Sequence, residues 1–199
     1  MTTDLYSDEL CQLARQGMGQ AAGMLSRLLR QQVRIDFSGR SQFVYEVVAE
    51  TEGTPQIGVY MPVSGELTGG MLLTMSEECA GWMGQQLLNM GSCDLLVEPV
   101  SSTLKEVGNI IASAFLASID SQLGVRALPE PPQLKKALAS ELQSDCRPAD
   151  NQDCLLVRTD LIIGDEGVLR GAIYLFPSAD SLDLLRSRIA AVSLSKKSC

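Results

Sequence analysis

Apolar positions recur along this chain at two spacings, every second residue and every third or fourth, and the two alternate in blocks. The first spacing is that of a half-buried strand and the second that of an amphipathic helix. Segments 57–63 and 65–73 read as strands, as do 154–163 and 167–175. Helical spacing predicts long helices over 8–30 and 102–123, shorter ones over 76–88 and 178–189, and an additional helix over 133–143. Ser76 and Ser178 stand where a helix N-cap is expected, because a short hydroxyl side chain can accept a free first-turn N–H. Segment 147–153 is polar and reads as the most flexible loop.

The blocks repeat. Gly65-Glu66-Leu67-Thr68-Gly69-Gly70-Met71-Leu72-Leu73 matches Gly167-Val168-Leu169-Arg170-Gly171-Ala172-Ile173-Tyr174-Leu175, 102 residues further on. Both read G-x-L-x-G-x-[MI]-x-L, and each is preceded by a strand pattern and followed by a helix. Each half also opens with a long helix, and Pro99, within 95–100, marks the joint. Repeats of this kind imply one unit used twice. The expectation is a single domain, 1–199, made of one repeat over about 8–96 and another over about 100–190. Its fold class is α/β, an internally duplicated pseudo-twofold unit. Its strands join into one continuous, mostly antiparallel sheet, and the two long equivalent helices pack on one face. Tight connections at Gly65 and Gly167 favour antiparallel neighbours. The helix over 133–143 is expected in the second half only.

Chemistry concentrates in one run, Ser102-Thr103-Leu104-Lys105-Glu106-Val107-Gly108-Asn109. At about 100° per residue, Ser102, Glu106 and Asn109 share one helical face, with Ser113 a turn further on. Leu104, Val107, Ile111, Ala114 and Ser118 fall on the opposite face, with Ile110 and Phe115 at its margins. An acid and an amide are thus offered side by side; a carboxylate can engage a cation, and an amide can orient a water. Taken alone, the pair equally fits the solvated face of an amphipathic helix.

Composition removes most other chemistry. The 199 residues contain no histidine, which excludes Ser-His-Asp and Cys-His catalysis, histidine general bases and the usual zinc sets. Six cysteines, Cys11, Cys79, Cys93, Cys146, Cys154 and Cys199, form no C-x-x-C pair. With no secretory leader they read as reduced thiols in a cytoplasmic protein, mostly buried. A net charge of −8 argues against nucleic acid and anionic membrane as partners. No glycine-rich phosphate loop occurs, and Gly17-Met18-Gly19 lies inside a helical pattern, where it favours close helix packing. Trp82, Met71, Met75 and Met90 read as core filling, and Glu77-Glu78 as first-turn charges that complement a helix dipole.

Ser102, Glu106, Asn109 and Pro132 satisfy the spacing [D/S]-x3-E-x2-N-x22-P, and Gly17-Met18-Gly19-Gln20-Ala21-Ala22-Gly23-Met24-Leu25-Ser26 is similar to a G-x-G-N-A-A-x-x-L-S segment. With the duplication, these features make the chain resemble the CheC family of chemotaxis phosphatases, whose relatives include CheX, FliY and the middle domain of FliM. The resemblance spans essentially the whole chain. It implies a CheC-like fold and hydrolysis of the aspartyl phosphate of a CheY-like response regulator. Asn109 would then orient the attacking water and Glu106 would dock on the regulator's lysine. It implies no cofactor of the chain's own, with Mg²⁺ expected on the partner. Ser102 would cap the helix or touch the partner, and Pro132 would fix the backbone.

Aligned on the same segment, the first half places Asp8, Gln12, Arg15 and Ser38 at the four motif positions. Gln12 loses the charge, and Arg15 is a fixed cation with donors only, so it cannot replace an asparagine amide. One working site, in the second half, is therefore expected. Two further readings stay open: a non-catalytic scaffold of the flagellar-switch kind, and a regulatory module for the receptor deamidase CheD, which some members of the family engage. The expected assembly is a monomer or homodimer, through an exposed strand edge in the second case.

Overall fold

The computed structural model describes residues 2–30, 32–36, 42–44, 53–91, 94–150, 154–163 and 168–197. Ser38, and 151–153 of the expected polar loop, lie outside the described residues. The chain opens with α1 (Thr2–Leu29), β1 (Val33–Asp36) and β2 (Gln42–Val44). The hairpin β3 (Gln56–Gly65) and β4 (Gly69–Met75) follows, then α2 (Glu77–Leu88) and the long α3 (Val100–Leu123). After it come β5 (Ala127–Pro129), β6 (Gln133–Ala137), α4 (Ala139–Cys146), the hairpin β7 (Cys154–Ile163) and β8 (Val168–Pro177), and α5 (Ala179–Lys197).

The strands form one eight-stranded sheet in the order β1-β7-β8-β4-β3-β5, with β2 also on β7 and β6 also on β3. Every ladder in it is antiparallel. The two hairpins meet at the centre through β4 and β8, where Leu72 lies opposite Tyr174, its counterpart 102 residues along. A pseudo-twofold axis therefore passes through this pair. Gly69 has φ +138°, which favours glycine, and it also lets β4 approach β8: a Cβ there would lie 2.1 Å from the Phe176 carbonyl oxygen.

Period-two alternation sends side chains to both faces. Ile57, Val59, Met61 and Val63 of β3, Met71, Leu73 and Met75 of β4, and Ile173 and Leu175 of β8 enter the main core. Leu72, Tyr174 and Phe176 point the other way, into a smaller cluster with Leu142 and Cys146 of α4. The main core is closed by Met18, Ala21 and Leu25 of α1, the inner face of α3, and Leu185 and Ile189 of α5. The two long helices lie side by side on this face and touch along their length. Gly17 permits it, because a Cβ there would sit 2.7 Å from the Phe115 Cα. Gln122 also donates a side-chain hydrogen bond to Gln16 across the pair.

The main departure from expectation is over 133–143. Its first part is strand β6, paired with β3 from Tyr60↔Gln133 to Gln56↔Ala137, and only then does helix α4 begin. Gln, Leu, Lys and Ala are good helix formers, but pairing to an open strand edge overrides so weak a preference. Lys135 and Lys136 sit on the outermost strand, ion-paired to Asp145 and Glu77 respectively, where edge lysines also discourage pairing with another chain. The short strands β1, β2 and β5 carry too few residues to show a period. Ser76 and Ser178 both cap as expected, accepting from Cys79 N at 3.1 Å and Ser181 N at 3.3 Å. Trp82 packs half-buried against the core, while Met90 is 47% exposed and fills none of it. No helix among the described residues is long and apolar enough to cross a membrane.

The helix contact gives a paired prediction. Gly17→Ala gains about 1 kcal/mol of helix propensity but pushes on backbone that cannot yield, which costs about 1–3 kcal/mol, so a net loss is expected. Gly19→Ala meets nothing within 4 Å and should gain about 0.5–1 kcal/mol. Urea midpoints of the two variants against the parent read both signs.

Candidate functional site

Helix α3 buries more than half of its residues. Val100, Leu104, Val107, Ile111, Ala114, Phe115 and Ser118 are all buried, which is the inner face the periodicity predicts, with Phe115 central rather than marginal. At its third turn the helix lies flush on the sheet: a Cβ on Gly108 would come within 2.6 Å of Val59 Cγ1 and 3.1 Å of Val59 Cβ. What remains for solvent is one stripe. Ser102 and Glu106 are exposed, and Asn109 and Ser113 are half-buried. Glu106 and Asn109 are one turn apart, with a rise of about 4.5 Å between them. An anionic acceptor and an amide therefore stand together on a backbone that the core holds still.

The start of α3 differs from expectation. The helix begins at Val100 with Pro99 at the cap position, and Pro99 supplies no side-chain cap. Ser102 is inside the first turn: its hydroxyl donates to the Pro99 carbonyl at 2.8 Å, as does that of Thr103 at 3.0 Å. The N–H of Ser102 is taken by the Glu98 carboxylate, Oε2 at 3.3 Å. Hydrogen bonds from the Ser102 and Ser101 hydroxyls, aided by the Ser102 N–H and nearby Lys105, hold the Glu98 carboxyl below its ordinary range. The single proton of the Ser102 hydroxyl is shared between the Glu98 carboxylate and the Pro99 carbonyl, 2.8 Å away. Glu98 escaped the sequence reading. The available signal was an acid four residues before a motif serine, across a proline that cannot cap.

Pro132 lies off the helix, in the connector between β5 and β6, both of which pack against α3. Both strands also pair with β3, and Glu130 N–H donates to the Pro62 carbonyl at 2.8 Å, so 130–132 form a short outward step in one edge. On α1, Gln12 and Arg15 are exposed, and Asp8 lies on the same helix. At the positions aligned with Glu106 and Asn109, α1 carries Gln12 and Arg15. The sequence reading gave Gly108 no role; its role comes from tertiary contact.

Comparison with known proteins follows this geometry. CheC1 of Halobacterium salinarum, provisionally assigned as a CheY-P phosphatase, is 26% identical over 176 residues, which cover 85% of this chain and 89% of that one. The structure of FliY from Thermotoga maritima superposes with a TM-score of 0.75 at 17% identity, over 94% of this chain and 96% of that one. The chain has the CheC-like fold. CheX of Borrelia burgdorferi, crystallised with CheY, BeF3 and Mg²⁺, shares the fold at a TM-score of 0.52 and 18% identity, over 81% of this chain and 95% of that one. No family model matches the chain.

Among the described residues, the cysteines Cys79 and Cys146 are buried and poorly placed for chemistry. Burial, with Glu78 nearby, pushes the Cys79 thiol up to about 12, and burial with Asp145 nearby does the same to Cys146. Both stay thiols at neutral pH, and the thiolate is the reactive form. At about pH 8, alkylation of Cys79 and Cys146 in the native protein should run at least about tenfold slower than in urea. Peptide mass spectrometry reads each site, and equal rates in the two conditions would refute the assignment.

Proposed function

We propose that this protein accelerates hydrolysis of the aspartyl phosphate on a CheY-like response regulator, using α3 as the docking element. The observation that carries the reading is the pairing of exposed Glu106 with half-buried Asn109 on the outer stripe of an anchored helix, in a chain with the CheC-like fold. Support for the partner comes from the provisional function of CheC1 and from CheX being found with CheY.

Glu106 pairs with a lysine beside the partner's phosphate, which brings α3 into the partner's site. The Asn109 side-chain carbonyl accepts a hydrogen bond from a water and holds it in line with the phosphorus. The water oxygen forms the new bond to phosphorus, and the bond to the aspartyl oxygen breaks. Its electron pair stays on the partner's carboxylate, and the water's proton passes to the phosphate and solvent. Such a transfer needs positioning and charge stabilisation more than covalent help. Mg²⁺, where used, belongs to the partner. Pro132 fixes the step in the edge strand beside α3, and its role is structural. Arg15 and Gln12 on α1 leave the first half without a working site.

The test is phosphate release from phosphorylated regulator. Asn109→Ala should lose most of the acceleration, about tenfold or more, because the water is no longer oriented. Glu106→Ala should lose it through weaker docking, and Arg15→Ala should behave as the parent. Release at the spontaneous rate with the parent protein, across every regulator tried, would favour the scaffold reading. Capture of CheD by a parent that is active on CheY would add a partner without removing the reaction.

A further inference from the structure

Three N–H groups of the first turn of α3 have visible acceptors, and they are of two kinds. Ser101 donates to the Val97 carbonyl at 3.1 Å and Thr103 to the Pro99 carbonyl at 3.2 Å, both backbone. Ser102 alone donates to a side chain, the Glu98 carboxylate. Ser102 is also the first member of the exposed stripe and lies one turn before Glu106. Helix ends fray unless their free N–H groups are satisfied, and a carboxylate at an N-terminus also gains from the helix dipole.

We infer that Glu98 is a positioning residue: it holds the exposed side of the first turn, and so sets where Ser102 and Glu106 meet the partner. The inference rests on the phosphatase reading above and assigns Glu98 a part in docking. The two ends of the site are held differently. Asn109 follows Gly108, whose contact with Val59 fixes the third turn against the sheet. Ser102 and Glu106 stand nearer the end, where Val100 and Leu104 secure the buried side and Glu98 the exposed one. Losing Glu98 loosens docking and leaves water orientation in place. The buried anchors keep the variant folded.

The experiment compares Glu98→Ala and Glu98→Gln with the parent in phosphate release from a phosphorylated regulator, separating KM from kcat. Glu98→Ala should raise KM about 3–10-fold with kcat within about twofold, since docking is lost and the chemical step is not. Glu98→Gln should recover most of the loss, because its amide oxygen still accepts the Ser102 N–H. An unchanged KM in Glu98→Ala would overturn the role. So would a fall in kcat alone that follows the folded fraction by circular dichroism, or a Glu98→Gln no better than Glu98→Ala. A parent that accelerates no regulator would instead overturn the phosphatase reading, and the docking role with it.

Discussion

Everything functional in this protein depends on how closely α3 approaches its two neighbours. Gly17 lets α1 come against Phe115, and Gly108 lets α3 itself rest on Val59. At both points a single methyl group would force the elements apart. Side chains in such a core have little room to move, because protein interiors are packed as densely as organic crystals. The close approach uses up most of the helix surface and leaves the one stripe that carries Ser102, Glu106 and Asn109. Burial and presentation are therefore one constraint: the tighter the inner face, the better defined the outer one.

That definition matters because the chain brings so little reactive chemistry of its own. It has no histidine, and the two cysteines whose surroundings are described are buried thiols. A carboxylate and an amide do little by themselves in water. Held a turn apart on a closely packed helix, they could place a water and meet a cation, which under the proposed reading is what a phosphoryl transfer asks of a protein when the partner supplies the reacting group. With a net charge of −8, long-range attraction to an acidic partner is not expected, so under the proposed reading recognition would fall to short-range contacts.

The two halves show how one frame accommodates different surfaces. The central pair of strands sets Leu72 against Tyr174, and α1 and α3 occupy comparable places over the sheet. Their inner faces share the apolar pattern, because both cover the same core. Their outer faces are free to differ, and α1 shows Gln12 and Arg15 where α3 shows Glu106 and Asn109. Core positions constrain shape, whereas an exposed position changes chemistry at almost no cost in stability.

The sequence by itself was enough for the two long helices, the two hairpins, the serine caps and the alignment of Ser102, Glu106 and Asn109 on one face. Each of these is periodic or local, so neighbouring residues carry the information. The alternation read these strands as half-buried, but β4 is buried on both faces, because Leu72 meets Leu142 and Cys146 of α4 on the second one. Tertiary structure alone decided the rest. Segment 133–137 became a strand because β3 had an open edge, against the helical preference of its residues. Met90, just past the end of α2, remained exposed instead of joining the core. Glu98 became the acceptor for Ser102 because Pro99 at the cap offers no side-chain acceptor. Gly108 became an anchor because Val59 lies beneath it. In every such case the deciding partner is distant in sequence or fixed by the path of the chain, and the pattern of one segment cannot encode what it will meet.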